Sequence, residues 1–512
     1  MIRHMRRVIR SRAAGDDGVG LILVIGVSIL VFALAATAAA LAINGMSQSR
    51  QRTGFERSLA VAEAGVDRTL SEVQDAYTSF NSDYPVPGPI SAVEASPWCA
   101  GAPVAFPATG DGAGGVFSTE VAERTWAQSA FNQILLAPAN CIQTSGGGQY
   151  IVLKPVSPSA KTGRVYALSA VPNFAAPTSR TRLIKSEYIF MPFRPTNAIL
   201  TGGPLAISSS TTVTVAFGVD PALATVHSNA TVSGTGNPTV TGLVSSTDPS
   251  SFSSNNFALN TGGDVTQTPA QVIPLVSARN FYAEAGSGTA AERAAKVLGW
   301  YDLCPGGEVR DYSSSVIPAP CTGTLVGTAT ASTEQRGWKF ASATQTWTAT
   351  SNAQDGTYYA HWGNIKTGSG NGTFAQMTLV AEAKYGTPAT CANKVYGNIS
   401  WDHFSLSNPA YTNMWMLADT DIVTTANFSA GSFGPPIVSG MFLAGDQIQM
   451  ETSSQGAVGA IVAADHCPSP TSTGGLVTTS EVKNPSVYFD PNAEAPFASV
   501  VTNSLWLDYS GG

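Results

Sequence analysis

Charge is scarce in this chain. Lys, Arg, Asp and Glu together make up 12% of its 512 residues, against about 25% in an ordinary soluble protein. That scarcity excludes a long coiled coil and a charged disordered tail, both of which need dense charge. Basic clusters are missing beyond the extreme N-terminus, and the formal net charge is −7. Nucleic acid is therefore not an expected partner. Histidine is rare as well. His4, His227, His361, His403 and His466 are scattered, with no H-E-x-x-H and no pair at helical spacing. No G-x-S-x-G elbow occurs, and the stretch Gly368–Gly372 lacks the Lys-Ser/Thr ending of a phosphate-binding loop. The chain offers no recognisable catalytic constellation, and a non-enzyme is expected. No C-x-x-C pair exists, which argues against structural zinc.

What is abundant is turn-forming and small. Gly numbers 50 and Pro 31, nearly one residue in six. The N-terminus concentrates the positive charge in Arg3, Arg6, Arg7, Arg10 and Arg12. From Val19 to Ile43 there follow 25 residues without a charge. As a helix this run is about 37 Å long, enough to cross a hydrocarbon core of about 30 Å. The flanking arginines orient it with the leader in the cytoplasm and the rest outside. Three fates fit the run. It is a cleaved secretory signal, using Arg6-Arg7 and the Ala38-Ala39-Ala40 site; a retained single-pass anchor; or a prepilin-type helix cut after Gly18 and kept in the mature chain.

Beyond the run, Phe55, Leu59, Ala62, Val66, Leu70, Val73, Tyr77 and Phe80 recur at steps of three or four. That spacing is one apolar stripe on a helix. Arg57, Glu63, Asp67, Arg68, Glu72 and Asp75 fall off it. The helix is thus expected to leave the membrane and lay one face on a globular head. Gly45, Gly54 and Gly65 are the points where it is expected to bend or thin.

The segment Gly18–Val73 resembles the N-terminal module of PilX-type minor pilins of type IV pilus systems. The residues that carry the likeness are Gly18-Val19, the apolar run and Ala62-Glu63-Ala64-Gly65. They cover roughly a tenth of the chain. The resemblance implies cleavage between Gly18 and Val19 by a prepilin peptidase. It also implies partnership with other pilins and pilus assembly proteins, with the membrane as the site of assembly. Leu21, Leu23, Val27, Leu30 and Phe32 would then be filament-packing residues. Major pilins carry Glu at the fifth mature position, where this chain has Leu23. That departure speaks against routine placement along a filament shaft and fits a minor, tip or initiating subunit.

Six cysteines all follow the membrane run: Cys99, Cys141, Cys304, Cys321, Cys391 and Cys467. An even number on the outside of the membrane fits disulfides. Sequential pairing keeps each bridge within one region, though other pairings are formally open.

Between 81 and 195 the chain reads as a loop-rich entry, a helical patch near Thr119–Leu136, and three strands at Gln149–Pro155, Arg164–Val171 and Arg182–Met191. After Pro195 the texture changes to very short apolar-polar alternations separated by Gly, Ser, Thr and Asn. Such density fits a β-solenoid, with a many-stranded sandwich as the alternative. A helix is expected over Ser277–Trp300, and a surface loop over Cys304–Cys321. The last third repeats an apolar-apolar-Ala core at Leu379-Val380-Ala381, Met416-Leu417-Ala418, Phe442-Leu443-Ala444 and Ile461-Val462-Ala463. Gly363-Asn364-Ile365 and Gly397-Asn398-Ile399 form a second, shorter repeat.

The expected architecture is therefore α+β to mostly β. A leader at 1–18 precedes a transmembrane and amphipathic pilin-like helix at 19–80. An antiparallel head at 81–195 leads to β-solenoid-like regions at 196–276 and 341–512, divided by a helical or loop insertion at 277–340.

Two groups in the β region carry candidate chemistry. Asp419 and Asp421 alternate and, with Asp402 or Asp446, could hold Ca²⁺ or act as paired carboxylates. As simple turn residues they would do neither. Tyr358, Tyr359, Trp362, Trp401, Phe404 and Trp415 would form either a platform for surface glycans or a partner protein, or a stacked core. No cofactor other than calcium is suggested.

Overall fold

The computed structural model describes residues 17–78, 110–111, 116–136, 141–153, 162–248, 258–259, 265–274, 276–286, 299–312, 319–368, 372–386, 391–425, 428–432, 434–451, 456–467, 475–495 and 498–509. A long apolar helix leads into a body built mostly of strands. Helix α1 spans Asp17–Thr78, 62 residues without interruption. It continues as helix through Gly45, Gly54 and Gly65, so none of the three ends or divides it.

The second half of α1 lies on one face of the head sheet. Its strands are β1 (Gln143–Ser145), β2 (Gly148–Leu153), β3 (Thr162–Val171) and β4 (Arg180–Pro192), joined as an antiparallel meander. Alternation along each strand separates two buried faces. Tyr150, Val152, Val165, Ala167, Ile184 and Tyr188 meet α1. Ile151, Leu153, Tyr166 and Leu183 turn the other way and pack with Ala127, Ala130 and Phe131 of helix α2 (Glu120–Leu136). The head is a sheet between two helices. Its fifth strand comes from the far end of the chain. Ala498–Asp508 runs antiparallel to β4, so the last strand of the segment grouped as 341–512 belongs to the head sheet.

The body consists of parallel ladders, and their order does not follow the chain. In the first, Trp300–Leu303 pairs with Thr357–Ala360, which pairs with Thr378–Ala381. The four apolar-apolar-Ala triplets then stack in register. Leu379-Val380-Ala381 lies beside Met416-Leu417-Ala418, then Phe442-Leu443-Ala444, then Ile461-Val462-Ala463. The next neighbour is Ile199-Leu200-Thr201, followed by Val226–Ser228 and Val244–Ser246. A second ladder aligns Ile365, Ile399, Ile422 and Ile448, and continues through Met450, Val482 and Ile207. A third aligns Leu406, Ala430, Ala457, Val487, Val213 and Val240. The regions numbered 196–276 and 341–512 therefore share continuous ladders, because the strand at Ile199–Thr201 enters between two others.

The inward residues of all three ladders form one apolar core. Helix α3 (Ala278–Gly286) covers part of it through Phe281 and Tyr282. The helix expected over Ser277–Trp300 is shorter in its described part, and Trp300 starts a strand. The expected surface loop at Cys304–Cys321 is likewise corrected. It contains strand Glu308–Asp311, which pairs with Trp300–Leu303 on one side and Thr324–Thr328 on the other. Val309 of that strand and Tyr312 just beyond it are buried in the core.

Candidate assembly helix and its seat on the head

The two halves of α1 meet opposite environments. From Val24 to Ile43 its apolar side chains are exposed. Val27 is 53% exposed, Leu30 62% and Phe32 77%. This is the one helix, among the described residues, that is long and apolar enough to cross a membrane; a signal sequence has the same properties. An apolar surface this large needs lipid or partner helices to cover it. Gly18, Val19, Leu21 and Leu23 are helical, but their side chains lie outside the described set.

The second half is seated. Ser58, Val61, Ala62, Gly65, Val66 and Thr69 are buried against the sheet. Leu59 and Leu70 pack at the margin of that seat, and Phe55 stays 37% exposed with the guanidinium groups of Arg180 and Arg182 over its ring. Val73 and Tyr77 continue the helix with undescribed side chains, and Phe80 lies outside the described residues. The contact line is thus rotated from the expected stripe toward Val61 and Gly65. Gly65 explains the shift. A Cβ there would stand 2.7 Å from the Tyr150 ring, so glycine lets that ring close on the helix. Ser169 completes the seat by donating its hydroxyl to the Ser58 carbonyl at 2.6 Å.

A buried ionic cluster holds the opposite face of the sheet. Glu123 of α2 accepts hydrogen bonds from Lys185 Nζ at 2.9 Å, from Tyr509 at 2.9 Å and from Tyr166. Arg164 pairs with it at 3.3 Å. Burial alone would raise the Glu123 carboxyl, but the Tyr166 and Lys185 hydrogen bonds and the Lys185 and Arg164 charges hold it below its ordinary value. One carboxylate thereby ties α2, β3, β4 and the C-terminal strand together. Sequence reasoning missed this cluster, because its members are more than 300 residues apart at the extremes.

The candidate calcium ligands have other work. Asp419 accepts backbone N–H groups from Ala278 at 2.6 Å and Ala383 at 2.9 Å. Burial pushes its carboxyl up to about 7, against the opposing effect of those bonds. Asp421 accepts from Gln447 at 3.0 Å, Leu476 at 2.5 Å and Val477 at 3.0 Å. It belongs to a polar series that explains the Gly-Asn-Ile repeat. Asn364 Oδ1 accepts the Asn398 amide at 3.1 Å, Asn398 Oδ1 accepts the Asp421 amide at 3.2 Å, and Asp421 serves Gln447 in turn. Each side-chain oxygen satisfies a backbone donor one rung along. Among the described residues no group of three or more His, Cys, Asp or Glu side chains could hold a metal ion.

The aromatic group is core. Tyr358, Tyr359, Trp401, Phe404 and Trp415 are fully buried, which removes them as a sugar platform. Trp362 alone of the six is exposed, stacked on His361 at 4.1 Å. Disulfides join Cys304 to Cys321 and Cys391 to Cys467. Cys141 is also disulfide-bonded, and Cys99 lies outside the described residues.

No family model and no curated protein matches the chain. Among solved structures it is similar to the competence-associated pilin ComZ from Thermus thermophilus, at 10% identity and a TM-score of 0.25, over 72% of this chain and 86% of that one. A likeness at that level carries no argument about fold or function.

Proposed function

We propose that this chain is a minor-pilin-like structural subunit of a type IV pilus or a related machine. It is anchored by α1 and displays a large β-rich head for adhesion or recognition. The observation that carries this reading is the division of α1. One unbroken helix leaves its first half bare and apolar and buries its second half under the head sheet. A helix built that way can pass from a membrane to a bundle of like helices without unfolding the head. The resemblance of Gly18–Val73 to PilX-type N-termini supports the same assignment. So does the absence of catalytic motifs in the sequence, and the role is structural rather than enzymatic.

In this reading a prepilin peptidase cuts after Gly18. That cut removes five Arg and two Asp and takes the net charge from −7 to −10. Helix packing through Leu21, Leu23, Val27, Leu30 and Phe32 then joins the subunit to other pilins and assembly proteins. The head faces outward on the cell surface. We further read the three parallel ladders as a β-solenoid-like coil, since successive strands repeat the same inward positions. A surface carbohydrate-binding or carbohydrate-cleaving β-helix protein is the second reading, and the ladders favour it equally. The burial of the aromatic group weighs against it.

N-terminal sequencing of the mature protein is the test. A start at Val19 is expected. A start near Ile43 would remove the packing helix and overturn the assignment.

A further inference from the structure

The face of α1 that is seated on the head continues past the edge of the sheet, toward the apolar half of the helix. There it borders an open groove of about 480 Å³. Ile43, Met46, Gln51 and Gly54 of α1 line one side of the groove. Val171, Thr178 and Arg180, at and between the ends of β3 and β4, line the other. Steps of three, five and three keep the four helix positions on one face, in line with Ser58, Val61 and Gly65 of the seat. Ile43 and Met46 are exposed, at the end of the apolar surface that needs covering. The volume suits a small charged group with some apolar surface, since ligand sites measure roughly 300–1,000 Å³.

The charge around this groove is of one sign. On α1 no Asp or Glu occurs from Gly18 to Phe55, and none occurs from Arg164 to Ser186 across the β3–β4 connection. The arginines nearby differ in what they meet. Arg52 pairs with Glu56 at 3.0 Å, and Arg182 pairs with Asp508. Arg180 has no carboxylate partner among the described residues. Gly54 lets its stem lie against the helix, because a Cβ there would stand 3.3 Å from Arg180 Cγ. Its guanidinium rests over the Phe55 ring, 5.4 Å from the centroid. In a chain of net charge −7, this is a local positive site beside an apolar one.

We propose that the groove seats an anionic phospholipid, with its phosphate on Arg180 and its upper acyl chain along Ile43 and Met46. The proposal rests on the reading of α1 as a retained membrane helix. The depths agree. With Met46 at the edge of the hydrocarbon, Gly54 stands about 12 Å farther out along the helix. The headgroup layer fills about 5–8 Å of that distance. The long stem of Arg180 spans the remainder by reaching toward the bilayer. Thr178 and Gln51 supply a hydroxyl and an amide beside the arginine for the other headgroup oxygens. A second copy of α1 fits less well. At the same depth it carries Arg50 and Arg52 and no carboxylate before Glu56, so it would set like charge against Arg180. A bound lipid would fix the angle at which the head leaves the membrane.

The test is native mass spectrometry of the protein purified in detergent with α1 intact. It is titrated with phosphatidylglycerol or with phosphatidylcholine of the same acyl chains. Phosphatidylglycerol should bind at least about fivefold more tightly, the worth of one arginine at an anionic surface. Arg180→Gln should remove that preference, whereas Arg180→Lys and Arg52→Gln should keep it. Equal affinity for the two lipids overturns the proposal, and this wild-type comparison stands even where a variant does not fold. An equal loss in Arg52→Gln also overturns it, because that marks diffuse attraction to a basic collar. So does displacement of the lipid by glycerol 3-phosphate at equal concentration, which marks a site for free phosphate. A dimer that Arg180→Gln dissociates, in place of lipid adducts, assigns the groove to a second copy and overturns it as well. Lipid preference and the mature N-terminus are separate readings. A start at Val19 without lipid preference sinks the groove alone, and a start near Ile43 with it sinks the filament assignment alone.

Discussion

Single residues decide how the head is held. Gly65 is the clearest case, because the Tyr150 ring occupies the space of any side chain placed there. Gly65→Val should destabilise the head by about 1–3 kcal/mol through overpacking, read as a lower urea midpoint at unchanged slope. A helix-propensity argument predicts the reverse sign, since glycine is poor in helix interiors. Glu123 offers a second test. Glu123→Ala leaves Lys185 buried beside Glu187 alone, with its side chain only 6% exposed. Because Lys185 and Arg164 keep Glu187, the cost falls mainly on the buried Tyr166 and Tyr509 hydroxyls left without their acceptor, about 1–3 kcal/mol. Glu123→Gln should cost less, because it keeps an acceptor for Tyr166 or Tyr509. Thermal unfolding of the two variants side by side checks that order. Neither position announces itself in the sequence. Gly65 reads as a weak point and Glu123 carries no signal of its own, because their partners lie on strands distant in the chain.

At the scale of elements, the sequence was most readable where one period persists. The apolar run and the stripe after it specify a single helix, and α1 is one. The triplets ending in Ala381, Ala418, Ala444 and Ala463 are legible as a repeat, and they are neighbours in register. What the irregular spacing hid is the order. A ladder of parallel strands records which residues face inward, not which strand comes next, so nothing local reveals that Ile199–Thr201 follows Ile461–Ala463. The seat of α1 was also misplaced by one residue, since a stripe assigned by hydrophobicity cannot weigh a glycine or a serine that makes close contact. The exposed half of α1 yields its own prediction. Val27→Asp or Leu30→Arg should disfavour membrane insertion by about 2.5–3.5 kcal/mol each if the residue lies near the helix centre. Expression of these variants should shift the chain from the membrane fraction to the soluble or degraded pool. Leu30→Ala should not.

For the whole molecule, two sets of buried carboxyls respond to pH in opposite directions. Glu123 in the head is held below its ordinary 4.5. Folding therefore favours its ionised form, and its contribution is present above that value and lost as the pH falls through the depressed one. Asp302 and Asp419 in the body behave the other way. Burial raises Asp302 to about 6 and Asp419 to about 7, against hydrogen bonds that oppose it, from an ordinary 3.8. For these two, folding favours the protonated form. Their contribution is fullest below 3.8 and declines as the pH rises through 6 and 7. Asp302 and Asp419 should thus add stability on acidification from about pH 8 to about pH 5. Buried His466 and His227, both lowered by burial, remove it over the same range, because only the unfolded imidazoles take up protons there. The head should begin to lose stability below about pH 4. Scanning calorimetry of the wild type beside Asp302→Asn and Asp419→Asn separates the two effects, and the wild-type midpoint should gain on each variant's as the pH falls from about 8 to about 5. A gap that does not change with pH would mean that hydrogen-bond donors keep Asp302 and Asp419 ionised. Those donors, rather than proton uptake, would then be what makes the two burials tolerable.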